Sequence, residues 1–310
     1  MDLFDRRVII VVGKGGVGKT TVTAALGLAA ARRGKEVLLA EAGGGDAVGP
    51  LFGAGSLSDR PAPISPGIRG ARIDPKAELT AYVHRHTGGG FVASRITGAR
   101  LFDHLADATP GVREVMTLGR IWRWERDRRP DGTAEYDLII VDGPATGHGL
   151  SLLRQPQALV EMLRGGPLVD QIREVQALLQ NPDETALLPV TLPEELPVNE
   201  TVELARRSAT ELNMPPDRVV VNAVYPDRFS GRDKQAVDQL THSGADRVPE
   251  ALRPALDAAR TQIRRRAIQQ RRIDRLTDQL GLPAVRVPFQ FVENLTLDTV
   301  AEIAETLAAG

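Results

Sequence analysis

The chain has 310 residues, of which 42% are hydrophobic and 25% charged, and its formal net charge is -1. A charge this close to zero provides no overall electrostatic attraction to nucleic acid or to anionic lipid. The sequence contains no cysteine, which excludes disulfides and any zinc or metalloid site built on thiolates.

The first seven residues carry acidic side chains where a signal peptide carries net positive charge. The apolar run at residues 8–12 is too short for the hydrophobic region of such a peptide, and nowhere do 18 apolar residues run together. Together with the lack of cysteine, this pattern leads us to expect a cytoplasmic protein.

Strand-like apolar runs alternate with helix-length segments, beginning with a strand at residues 8–12, a helix at 20–33 and a strand at 36–40. Further strands are predicted at residues 137–141, 187–192, 219–222 and 284–287. Because these strands are apolar throughout, we expect an α/β fold with a mostly parallel sheet covered by helices on both faces.

Residues 53–75 are rich in Pro, Gly and Ser and are predicted to form a loop, as are residues 87–90 and 128–132. Residues 151–186 are predicted to be a helical insertion between two strands, with apolar residues at helical spacing: Leu159, Leu163, Ile172, Val175 and Leu179. We expect that apolar face to pack on its own domain, and residues 1–310 to form one domain.

An arginine-rich helix is predicted at residues 262–280, with Ile273, Leu276 and Leu280 between the basic side chains. Such interleaving is typical of a solvated helix face, although a basic helix also suits nucleic acid. We expect no sequence-specific binding of nucleic acid.

The most specific motif is Gly-Lys-Gly-Gly-Val-Gly-Lys-Thr at residues 13–20, which fits G-x-x-x-x-G-K-[ST] between the first strand and helix. Glycines let successive N–H groups point at phosphate oxygens, and the helix adds its positive N-terminal end. Lys19 is expected to bridge the β- and γ-phosphates of ATP, and Thr20 to ligate Mg²⁺. The predicted nucleotide-binding residues here are Gly13, Gly15, Gly16, Val17, Gly18, Lys19, Thr20 and Thr21.

Asp142 ends the apolar run of residues 137–141, where a Walker B carboxylate holds magnesium directly or through water. An aspartate at a strand end can also be a turn former. The sequence that follows, Gly-Pro-Ala-Thr-Gly-His at residues 143–148, favours the metal role and adds Gly143 to the expected nucleotide site.

Lys14 in the phosphate-binding loop resembles the extra lysine of the deviant Walker A ATPases, a group that includes the Min and Par proteins and nitrogenase iron protein. Residues 142–148 resemble switch II of arsenite-pump ATPase subunits and tail-anchored-protein targeting ATPases, and residues 181–185, 192–201 and 219–222 extend the match. The resemblance implies a P-loop NTPase fold, a dimeric ATPase, and a Lys14 that reaches across the dimer to the partner's nucleotide.

The same resemblance implies that Asn222 hydrogen-bonds adenine and that Pro288 and Phe289 flank the ring. An amide can both donate to and accept from the edge of adenine. Taken alone, however, Asn222 also suits a turn at a strand end, and Phe289 an ordinary core position.

Three features depart from the family pattern. Switch I there reads Asp-Pro-Ala-His, and here Gly43 takes the position of the aspartate that polarises water. Either Asp46 or Glu41 is then the candidate base. The cysteine devices of the relatives are excluded, and the segment corresponding to their methionine-rich client groove offers only Met162.

The expected function is a magnesium-dependent ATPase that acts as a dimeric switch on an unknown protein client or membrane partner. The dimer is either a homodimer or a heterodimer with a related ATPase, in which this chain is the half that does not hydrolyse ATP. Lys14 and the Thr-Gly-His core of switch II argue against a small-molecule kinase or ligase. His148 is expected to orient switch II or sense the neighbour.

Overall fold

A computed structural model describes residues 2–43, 45–87, 111–145, 150–156, 160, 165–242 and 248–309. Within this part of the chain, eight strands form one sheet in the order β3-β4-β2-β5-β1-β6-β7-β8. The strands are β1 (Val8–Gly13), β2 (Val37–Glu41), β3 (Ala62–Ser65), β4 (Ile68–Arg72), β5 (Leu138–Ala145), β6 (Thr185–Thr191), β7 (Val219–Val224) and β8 (Ala284–Pro288). Neighbouring strands are parallel except for β3 and β4.

Helices cover both faces of the sheet, which confirms the α/β fold class. They are α1 (Lys19–Arg32), α2 (Val48–Leu51), α3 (Pro75–Thr87), α4 (Val112–Arg126), α5 (Pro167–Gln180), α6 (Glu195–Leu212), α7 (Gly231–His242), α8 (Arg253–Leu280) and α9 (Leu297–Ala309), and residues 150–156 are helical as well. Helices α1 and α9 pack on one face, and α4, α5 and α6 on the other. Of the helices in the described residues, none has the length and apolar character needed to cross a membrane.

The central strand β1 is buried along its whole length, as its unbroken apolar sequence predicts. Ile9 and Val11 belong to the core beneath α1, and Val8, Ile10 and Val12 belong to the core on the opposite face. Burial of alternate residues in two separate cores explains why the strand shows no polar alternation.

The prediction of a loop over residues 53–75 is wrong, because this segment contains the hairpin β3–β4. Pro66 and Gly67 form its turn, and Gly67 has a φ of 72° that glycine adopts at little cost. Pro63 is tolerated because β3 lies at the edge of the sheet, where a missing N–H costs little.

The arginine-rich helix α8 begins at Arg253, well before the predicted start at residue 262. Its buried residues are Gln269, Ile273 and Leu276, so two of the apolar residues between the arginines pack into the core. The first half of α8 has no buried face, and this is why apolar periodicity does not reveal it.

Helix α5 follows β5 in the chain and packs beneath β6. Its residues Ile172, Val175 and Leu179 are all buried, which confirms that this apolar face packs on its own domain. Leu159, Met162 and Leu163 lie outside the described residues, and so do residues 88–90 of a predicted loop. The division into one domain with an insertion at residues 151–186 stays a prediction.

Candidate nucleotide site

The phosphate-binding loop spans the gap between the end of β1 and the start of α1, at the carboxyl edge of the sheet. Gly13 has a φ of 152°, and a Cβ there would lie 2.2 Å from the carbonyl oxygen of Val190. Gly18 caps α1 with a φ of 90° and no side-chain hydrogen bond. The first N–H groups of α1 are thus left for a ligand, and an anion suits them best.

Lys19 is the first residue of α1, and its side chain folds back over the loop. Its Nζ donates to the carbonyl oxygen of Lys14 at 3.2 Å. Burial lowers the pKa of Lys19, and the charge of Asp142 opposes that shift. The ammonium group therefore lies inside the curve of the loop, where the resemblance expects the phosphates.

Thr20 and Asp142 meet where α1 approaches the middle of β5. The Thr20 hydroxyl donates to Oδ2 of Asp142 at 2.7 Å, and Oδ1 of Asp142 is buried without a hydrogen-bond partner. Burial raises the pKa of Asp142 and so does the nearby Glu41, whereas Thr20 and Lys19 lower it. A hydroxyl beside a buried, unsatisfied carboxylate suits a hard cation such as Mg²⁺.

The switch I segment, residues 41–48, holds both candidate bases. Glu41 ends β2, is 2% exposed, and accepts the backbone N–H groups of Ala47 and Val48 through Oε1. Asp46 is exposed and accepts the hydroxyl of Ser56 through Oδ2. In this arrangement Glu41 points into the protein and Asp46 is held at the surface.

Gly43, at the position of the family aspartate, lies against the switch II segment, residues 142–148. A Cβ on Gly43 would lie 3.3 Å from Cα of Pro144 and 3.5 Å from the carbonyl oxygen of Gly143. A side chain there would press on the switch II backbone. Gly143 is itself buried beside Val11, while Thr146, Gly147 and His148 lie outside the described residues.

Lys14 forms an ion pair within its own chain. Its Nζ lies 3.0 Å from Oε1 of Glu200, a residue of α6. Both side chains are partly exposed, so this pair stabilises its geometry by about 1 kcal/mol or less. Glu200 is a partner of Lys14 that sequence reasoning missed, because nothing in the spacing of residues 14 and 200 points to it.

Asn222 lies in the second half of β7, and its side chain reaches the phosphate-binding loop. Its Nδ2 donates to the carbonyl oxygen of Val17 at 2.9 Å, and its Oδ1 accepts the N–H of Ala223. Ala223 adopts a left-handed φ of 56°, at the irregularity where the register of β7 against β8 shifts between Val221 and Val224. The structure thus brings Asn222 to the predicted site and also gives it a contact that sequence reasoning missed.

Phe289 follows Pro288, the last residue of β8, and belongs to an aromatic cluster. Its ring centroid lies 5.2 Å from that of Tyr225 and 4.9 Å from that of Phe291. These three rings form one wall of a cavity of about 450 Å³, and the opposite wall is formed by α8 with Asp257, Ala258, Thr261, Gln262 and Arg265. Sequence reasoning found Phe289 alone, although the alternation Phe-Gln-Phe at 289–291 could have indicated Phe291.

In the described part of the chain, no three His, Cys, Asp or Glu side chains come together as a metal site. The pair Thr20 and Asp142 fits Mg²⁺, which usually takes one or two carboxylates, water and the phosphates of a nucleotide.

Comparison with known proteins gives consistent matches. The model of the Anion-transporting ATPase family matches residues 6–165 and 167–243. The chain is 29% identical to ATPase BagA of Mycobacterium tuberculosis, over 97% of this chain and 92% of that protein. It is 27% identical to an ATPase ASNA1 homolog of Entamoeba histolytica (70% and 76% covered) and 26% identical to ATPase GET3 of Kluyveromyces lactis (70% and 71% covered).

Proposed function

Because the chain belongs to the anion-transporting ATPase family, we propose that it is a magnesium-dependent ATPase acting as a dimeric switch, which couples ATP turnover to a partner or cargo. ATP binding and ATPase activity follow from the family. The observation that supports the magnesium-dependent part is the Thr20–Asp142 hydrogen bond at the mouth of the phosphate-binding loop.

The residues in and around the phosphate-binding loop bind different parts of the nucleotide and its metal in this proposal. The N–H groups of residues 13–20 bind the phosphates, and Lys19 neutralises charge on the β- and γ-phosphates. Thr20 and Asp142 hold Mg²⁺, which when bound adds positive charge beside the leaving group. The cavity between Phe289 and α8 accepts the base in this proposal, and Asn222, which reaches the phosphate-binding loop, contacts its edge.

The dimer is proposed from Lys14. In the resemblance this lysine contacts the nucleotide of the partner, and in the structure it belongs to the phosphate-binding loop and is paired with Glu200. A weak pair of this kind can be exchanged for a phosphate contact when a second chain approaches. The partner or cargo is a protein or a membrane component, and its identity lies beyond what the site residues specify.

The heterodimer remains the alternative, and Gly43 favours it. Without a carboxylate at that position, the attacking water must be activated by Glu41, by Asp46 or by a partner chain. Turnover by the purified chain alone supports the first two, whereas turnover only after a related ATPase is added supports the heterodimer.

The proposal is tested by Lys19→Ala, with Lys35→Ala as the control. Lys35 follows α1 at its far end, away from the loop. Calorimetry with a non-hydrolysable ATP analogue is expected to show no detectable binding for Lys19→Ala and unchanged binding for Lys35→Ala. Of these two lysines, Lys19 is the one that lies at the proposed phosphate site. Near-wild-type affinity in a folded Lys19→Ala variant would contradict the site assignment.

A further inference from the structure

Glu41 is a buried carboxylate that uses only one of its two oxygens. Its Oε1 accepts the N–H groups of Ala47 at 2.8 Å and Val48 at 2.6 Å. These groups begin α2, and Ala47, at the cap position, has no side chain able to accept them. Glu41 therefore takes the place of a capping residue and fixes the end of switch I.

The second oxygen, Oε2, is buried and has no hydrogen-bond partner. The same is true of Oδ1 of Asp142. The register of β2 and β5 places Glu41 directly beside Asp142, and neighbouring strands lie about 4.8 Å apart. Two carboxylates, each with one buried and unsatisfied oxygen, therefore lie on neighbouring strands at the carboxyl edge of the sheet, and Asp142 is hydrogen-bonded to Thr20.

Such an arrangement costs free energy unless a cation is present. A buried charged oxygen without a partner carries a desolvation penalty, and two like charges repel each other. A simple cap would not need Oε2 to stay unpaired next to a second carboxylate. Hard oxygen ligands beside a nucleotide are suited to hydrated Mg²⁺, which keeps several of its waters and hydrogen-bonds through them.

We propose that Glu41 belongs to the magnesium site, binding the hydrated ion through Oε2 while Oε1 holds Ala47 and Val48. One carboxylate then connects the metal to switch I, so that the positions of Ala47 and Val48 depend on whether the metal is bound. This inference rests on the proposed function, since it requires the nucleotide and its magnesium at the loop. Glu41 is a positioning residue in this scheme.

The test is the magnesium dependence of nucleotide binding in Glu41→Gln. Glutamine keeps an oxygen for the two N–H groups but removes the charge that faces the ion. A fluorescent non-hydrolysable ATP analogue is titrated in EDTA and at increasing free Mg²⁺. The affinity in EDTA should stay within about twofold of wild type, while the half-saturating Mg²⁺ concentration rises about 10- to 100-fold, as for other residues that support metal ligands.

Glu36→Gln is the matched control, because it makes the same change at an exposed residue just before the start of β2. It should bind nucleotide and Mg²⁺ as the wild type does. Wild-type magnesium dependence in Glu41→Gln would overturn the inference and leave Glu41 as a cap alone. If the wild-type protein itself binds nucleotide equally with and without Mg²⁺, the magnesium part of the proposed function fails as well, and the two failures are thus distinguished.

A second measurement needs no variant. Hydrogen exchange of the wild-type amides of Ala47 and Val48 is compared with nucleotide plus Mg²⁺ and with nucleotide plus EDTA. We expect exchange about tenfold slower with the metal, because the metal restrains the carboxylate that holds both amides. Equal exchange under the two conditions would overturn the coupling even if Glu41→Gln did not fold.

Discussion

At the scale of single residues, Asn222 connects two parts of the site that the sequence places far apart. Its Nδ2 holds the carbonyl oxygen of Val17 in the phosphate-binding loop, and Gly18 is so close that a Cβ there would lie 2.2 Å from the same nitrogen. One hydrogen of Nδ2 and one lone pair of Oδ1 are still available for a base. The residue can thus support the loop and contact adenine together.

Asn222→Ala separates these two roles. Loss of the Val17 contact should weaken binding of ATP and GTP by a similar factor of about fivefold, on the order of one hydrogen bond. If Asn222 also recognises adenine, the affinity for ATP should fall further, and the ratio of the affinities for ATP and GTP should shrink by about tenfold. Binding of both nucleotides measured by calorimetry decides between the outcomes, and unchanged affinity for both would contradict each role.

At the scale of elements, the two switches lie close together at Gly43 and Pro144, where a Cβ on Gly43 would lie 3.3 Å from Cα of Pro144. A side chain at position 43 would require a shift of a few tenths of an ångström in the switch II backbone. This close approach favours glycine at position 43, because any side chain there requires the switch II backbone to shift.

Gly43→Ala should therefore disturb the switches, and Gly45→Ala should not, since a Cβ at Gly45 meets nothing within 4 Å. We expect Gly43→Ala to slow ATP turnover about three- to tenfold and to lower stability by about 1 kcal/mol, a cost typical of overpacking. Turnover assays and thermal unfolding of both variants check this. Equal behaviour of the two alanine variants would show that the contact at Gly43 does not restrict the switches.

The sequence predicts the elements that its local pattern encodes. Strand β1 and helix α1 follow from apolar runs and from the glycine motif, and Lys19, Thr20 and Asp142 follow from position relative to them. The hairpin β3–β4 was missed because its prolines favour loops in isolation, and only its place at the sheet edge makes them acceptable. The contacts of Glu41 and Glu200 were missed because they depend on how close distant segments come in the folded chain.

At the scale of the whole molecule, the ion pair with Glu200 keeps the Lys14 side chain on its own chain. In the proposed dimer the same lysine must turn toward the partner's nucleotide, so the pair within the chain competes with dimer formation. Since a partly exposed pair contributes about 1 kcal/mol or less, the competition changes the dimer population by a few-fold and does not abolish it.

Two substitutions should then move dimerisation in opposite directions. Lys14→Ala removes the contact across the interface and should lower the dimer fraction with ATP and Mg²⁺, with little change in the nucleotide affinity of the monomer. Glu200→Gln frees Lys14 and should strengthen ATP-dependent dimerisation about two- to fivefold, which corresponds to a pair worth up to about 1 kcal/mol. Glu203→Gln, on the same helix and paired only with Arg207 among the ion pairs of the described residues, is the control and should dimerise as wild type does.

Sedimentation over a range of protein concentrations measures the dimer fraction of all three variants. A weaker dimer in Glu200→Gln would mean that Glu200 itself contacts the partner, and an unchanged dimer in Lys14→Ala would remove Lys14 from the interface.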